Sequence, residues 1–175
     1  MELRPQAGAY APYLERYISL VPEGSLTAIL ETQRSAMLAL LEPVTEEQAG
    51  FCYAEGKWSV KDVLGHVTDN ERIWAYRLLR AARGDGYSYP GYEQDDYVRT
   101  ARFDRLPFKD LLEEFAMVRR STILLLKGLP DEAWARKGWM YGEPLSALAA
   151  ACVIAGHERH HWNVLKERYF PLPPS

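Results

Sequence analysis

An all-α fold, most simply a four-helix bundle, follows from three features of the sequence: four stretches with apolar residues at helical spacing, helix start and stop signals at their ends, and no credible pair of strands. The 175 residues, 47% hydrophobic, suit one domain with a substantial core. Residues 1–24 carry prolines and tyrosines with little periodicity and are expected to form an extended arm over a core they do not themselves build, leaving 25–170 for the bundle.

The first helix starts after Ser25, a suitable N-cap, carries Leu26, Ile29, Leu30, Met37, Leu40 and Leu41 inward, and stops at Pro43. Gln33 lies on the same stripe and is expected at its boundary. After a loop, Ser59 and Asp62 form a capping-box-like start for a second helix that runs to about Arg83 before Gly84. Its stripe holds Val63, Leu64, Val67, Ile73, Trp74 and Leu78, with His66 and Asn70 along its border one turn apart. Residues 85–106 form a long, tyrosine-rich connection with a short helix near 94–102, a length typical of functional covers. The third helix begins near Pro107, turns Phe108, Leu111, Leu112, Phe115, Val118, Leu125 and Leu126 inward, and ends at Gly128 and Pro130. The fourth runs from near Ser146 to about Tyr169. Leu148 to Ile154 are weakly polar all the way round, which implies burial on two sides, and packing in a two-fold homodimer would explain it. The long connections permit a non-sequential order of helices.

Composition narrows the function. A net charge of -3 with interspersed signs lacks the basic footprint of a nucleic-acid binder. No apolar run reaches the roughly 18 residues that span a bilayer, and Met1 to Tyr10 does not resemble a signal peptide, so a cytoplasmic protein with a small-molecule substrate is expected. Cys52 and Cys152 show no metal-ribbon or disulfide spacing.

Three of the four histidines fall within the run Gly156-His157-Glu158-Arg159-His160-His161-Trp162. At about 100° per residue, His157 and His161 each lie roughly 20° from the centre of the inward stripe, whereas His160 lies roughly 80° away, on the flank. Buried neutral imidazoles need partners that a helical core rarely offers, so two in register on an apolar face, with His66 on another helix, point to a metal site. The run also matches H-E-x-x-H, but the downstream third ligand of a zinc peptidase is missing, and Glu158 is left as a base for activated water or as a surface charge on the helix. Asn70, Arg72 and Arg159 are candidate substrate contacts, and residues around Tyr87 to Tyr97 and Trp139 to Tyr141 candidate walls of a pocket mouth.

The segments Lys57-Trp58-Ser59-Val60-Lys61-Asp62-Val63-Leu64-Gly65-His66-Val67, Tyr92-Glu93-Gln94-Asp95-Asp96-Tyr97-Val98 and Gly156 to His161 resemble the DinB superfamily, close to its YfiT-like branch. The similarity extends to Tyr17-Ile18-Ser19-Leu20-Val21-Pro22-Glu23-Gly24 and to Leu129-Pro130-Asp131-Glu132-Ala133-Trp134. It implies a four-helix bundle, often homodimeric, with one divalent ion held by three histidines that transfer by position to His66, His157 and His161. Zinc or nickel is the expected metal, although copper suits the same nitrogen donors. The resemblance also implies an activity: thiol S-transferases and a thiol-dependent isomerase occur in the superfamily, and YfiT-like members are proposed hydrolases. Three neutral ligands leave a coordination position open, so the leading expectation is a transferase activating a low-molecular-weight thiol. A hydrolase activating water at the metal and a non-catalytic metal-binding stress protein are the alternatives.

Overall fold

The structure, a computed structural model, describes residues 4–86 and 88–174. Four long helices carry the fold: α2 (Leu26–Leu41), α4 (Val60–Ala82), α6 (Phe108–Lys127) and α7 (Ala147–Val164), continued by a π-helical turn at Leu165–Tyr169. Shorter helices are α1 (Glu15–Ile18), α3 (Glu46–Ala49) and α5 (Gln94–Ala101). The four-helix bundle is therefore observed, and its order is non-sequential. α4 packs on α6 and α7, and α2 packs on the same two, so α2 and α4 are diagonal, as are α6 and α7.

Local chemistry sets the helix ends. The Ser59 hydroxyl accepts from the Asp62 N–H at 3.1 Å while the Asp62 carboxylate accepts from the Ser59 N–H at 2.9 Å, a complete capping box that fixes the start of α4. The Ser146 hydroxyl accepts from Ala149 N–H at 3.0 Å and starts α7 in the same way. At α6, Glu46 from α3 takes the Phe108 N–H at 2.8 Å and also pairs with buried Lys61, which ties three elements together at one end of the bundle.

Three expectations fail here. Residues 137–146 form a hairpin, β2 (Lys137–Met140) and β3 (Glu143–Ser146), with β1 (Ser88–Tyr89) alongside β2 in parallel. Its turn places Tyr141 at φ 53° and Gly142 at φ 79°, the two left-handed positions of a type I′ turn. Strands this short leave too few alternating residues to register as a period. The N-terminal segment is the second correction: it is not an extended cover but a 3-10 turn (Pro12–Leu14) followed by α1, and Ala11, Leu14, Ile18 and Val21 are core residues packed with α7. Third, Gln33 is fully inside the bundle, donating to the Ala155 carbonyl at 2.9 Å.

The N-terminal segment also accounts for the apolar circumference of α7. Ala149 to Glu158 are all buried, by α4 and α2 on one side and α1 on the other, so the pattern is satisfied within one chain. Among the described residues, no helix is long and apolar enough to cross a membrane.

Candidate metal centre

The site lies where the first third of α4 meets the second half of α7. His66 faces His157 and His161 across the helix contact, with one ligand-capable atom from each of the three within 4.8 Å of the others. The Nε2 atoms of His66 and His157 are 3.1 Å apart, and ring centroids are separated by 4.9 Å for His66 and His157, 4.9 Å for His66 and His161, and 4.6 Å for His157 and His161. His66 and His157 are buried and His161 half-buried. Burial, aided by neighbouring histidines, lowers the pKa of His66 to about 4 and holds His157 and His161 well below the usual histidine range. All three are thus neutral at pH 7, the form that offers a lone pair to a metal. Their number, element type and convergence suit a divalent transition metal.

Aromatic rings wall the trio. Trp58, the residue before the α4 cap, packs 4.8 Å from the His66 ring and stacks on His161 at 6.3 Å and 19°. Tyr17 of α1 meets His157 edge-on at 5.2 Å and His160 at 5.9 Å. His160 is exposed and stays outside the trio, beside His161. Two cavities reach the histidines. One of about 340 Å³ includes His157, Asn70, Arg77, Tyr92 and Tyr141 in its walls; the other, of about 310 Å³, includes His161, Trp58, Lys57 and Tyr53. Gln94 and Asp95, at the start of α5, border both.

The DinB superfamily profile matches residues 29–165. The chain belongs to the DinB superfamily. A protein of Oceanobacillus iheyensis described as a candidate metal-dependent hydrolase is 20% identical over 139 residues, 78% of this chain and 79% of its own length. The solved structure of YfiT from Bacillus subtilis, described as a candidate metal-dependent hydrolase with an unusual four-helix bundle topology, superposes with a TM-score of 0.74. That match covers 96% of this chain and 92% of YfiT at 17% identity.

Within this DinB-type bundle, the remaining candidates divide. Asn70 is buried on the wall of the His157 cavity, and its amide donates to the Tyr92 hydroxyl at 2.6 Å while Oδ1 finds no partner. Arg72 is a correction: it is exposed, pairs with Asp69 at 3.2 Å and Glu114 at 2.6 Å, and borders neither cavity. Arg159 likewise lines neither; its guanidinium lies 5.3 Å over the Trp162 ring. Glu158 is a second correction, because it is not a surface charge. It is 2% exposed, neither oxygen has a hydrogen-bond partner, and burial, outweighing the attraction of Arg119, pushes its pKa up to about 7. Its charged neighbours are Arg119, Arg159 and Glu71, on a side of α7 about 100° from His157. At the expected mouth, Tyr92, Met140 and Tyr141 do line the His157 cavity, whereas Tyr89 is buried in the sheet and Trp139 borders neither cavity. Tyr87 lies outside the described residues.

Two contributors have little or no signature in the sequence. Arg119 of α6 is completely buried and pairs with buried Glu71 of α4 at 2.9 Å, next to Glu158. Tyr17 packs on two histidines only because the Tyr17 backbone approaches Gly156 closely. The arginine interrupts an otherwise apolar stripe and was the available signal for the first; nothing local announced the second.

Proposed function

We propose that this chain is an enzyme holding one divalent ion, zinc or nickel, through His66, His157 and His161, and using it to activate a small nucleophile in a transfer reaction. The convergence of three neutral imidazoles, two buried and one half-buried, carries the reading. A divalent ion bound by three neutral ligands supplies Lewis acidity, lowering the pKa of a water or thiol that takes the open position. The protein's own contribution is to keep the imidazoles unprotonated by burial, to hold their rings between Trp58 and Tyr17, and to restrict water around them. Two cavities of comparable size reaching different histidines favour two organic reactants, a low-molecular-weight thiol and an electrophile, over one. Hydrolysis is the second reading, favoured by the description of both relatives as candidate metal-dependent hydrolases.

Elemental analysis of untagged protein tests the metal: one equivalent is expected in the wild type and in His160→Ala, and a loss of metal in His66→Ala, His157→Ala and His161→Ala. Retention of a full equivalent in His157→Ala would refute the site. With metal loaded, thiol consumption against an epoxide or haloalkane supports transfer. Turnover of an ester or amide without thiol supports hydrolysis, and neither activity at full metal occupancy leaves a binding protein.

A further inference from the structure

Arg77 sits on α4 along the same face as His66 and Asn70, and it borders the cavity that His157 enters. It is 5% exposed, yet no carboxylate pairs with it among the described residues. Its charged-state neighbours are the phenols of Tyr92, Tyr13, Tyr141 and Tyr89. One N–H donates to the Pro90 carbonyl at 2.7 Å, and the guanidinium plane rests 4.7 Å over the Trp74 ring. A buried cation without a counterion is costly, and stapling one carbonyl requires only one of its five donors. Arg77 lines the cavity of about 340 Å³ that His157 also borders, and a second of about 250 Å³ walled by Tyr76, Arg80 and Tyr89.

We propose that Arg77 is the anchor for a carboxylate of the substrate, which lies along α4 with its reacting end at the histidines. This rests on the metal-centre reading and adds to it the substrate class: an elongated organic monocarboxylate. Eleven residues of helix separate His66 from Arg77, about 16 Å between their backbones, which calls for an extended molecule. A planar carboxylate matches the guanidinium fork, whereas Glu93 and Asp95, exposed at the rim of the same cavity, oppose a doubly charged phosphate. Asn70, with an unpartnered buried amide oxygen between the two ends, is placed to meet a donor in the middle of such a molecule.

The test uses a matched pair of chelators on zinc-loaded protein: suberic acid monohydroxamate, which carries a free carboxylate at its far end, and its uncharged methyl ester. Calorimetry is expected to give roughly 10-fold or greater preference for the acid, the range of a charge-assisted hydrogen bond. Arg77→Gln should bring the two affinities together, while Lys57→Gln, in the other cavity, should leave the preference intact. Equal affinities in the wild type, with zinc bound, overturn the carboxylate anchor and spare the metal centre. Failure of the protein to take up zinc overturns both. Should Arg77→Gln not fold, the wild-type ratio decides, and a preference of the same size in Arg77→Lys, which lacks the fork, would count against the proposal.

Discussion

Replacing Gly156 by alanine tests whether the N-terminal segment is part of the core and of the site. A Cβ built at Gly156 would stand 2.0 Å from the Tyr17 carbonyl oxygen, 2.5 Å from its carbonyl carbon and 3.1 Å from its Cα. Ordinary contact begins near 3.5 Å, so α1 must retreat by more than 1 Å on the order of a methyl radius. Both partners are backbone, which leaves no side chain to swing aside, and the cost belongs at the upper end of the 1–3 kcal/mol range for overpacking. Alanine returns about 1 kcal/mol through helix propensity. The net is a loss of about 2 kcal/mol, or about 4–8 °C in Tm for a chain of this size. Displacement also lifts Tyr17 from His157, so protease cleavage within residues 4–24 should accelerate. Calorimetry on metal-free protein isolates the packing effect. An unchanged or raised Tm would refute the close approach of α1 to α7, and with it the account of why α7 is apolar on every side.

Two further perturbations address the polar interior. Arg119→Met strands Glu71 and Glu158 in the bundle and should cost about 3–5 kcal/mol in chemical denaturation, with a large coupling to Glu71→Gln in a double-mutant cycle; a loss below about 1 kcal/mol would show that the pair is not buried as described. Acidification probes the histidines. Their folded pKa values are depressed, His66 to about 4, against about 6.5 unfolded, so their contribution is complete above about 6.5 and is lost as pH falls towards 4. Glu158, raised to about 7, acts in the opposite sense, stabilising below the unfolded glutamate value and losing that contribution as pH rises to 7. The three histidines outnumber Glu158, so metal-free protein should lose stability as pH falls from about 6.5 towards 4. Equal denaturation midpoints at pH 7 and pH 5 would contradict neutral, buried imidazoles.

The parts of this fold that were legible in the sequence are those whose signal repeats. α2, α4, α6 and α7 each present an apolar stripe over several turns, and Ser59, Ser146 and Pro107 mark their starts with local chemistry. His157 and His161 were legible for the same reason, because i, i+4 spacing fixes direction without knowledge of the partner helix. The hairpin at 137–146 offered four residues per strand, and the β1 pairing only two. Leu14, Ile18 and Val21 do follow helical spacing, but three residues flanked by Pro12 and Pro22 do not distinguish a packed segment from a loop.

At Glu158, charge and burial pull in opposite directions. A helix apolar round its whole circumference from Leu148 to Ile154 has no solvent face at that level, yet a surface charge is one of the two roles open in the sequence to Glu158, one turn further on. In the structure the burial continues one turn past those seven residues and takes Glu158 inside. A carboxyl group there must either find a cation or keep its proton. The cation lies on α6, diagonal to α7 across the bundle, where Arg119 already serves Glu71. With one guanidinium for two acids, the interior cannot hold both as anions at low cost, and the pKa of Glu158 rises until a proton makes up the difference.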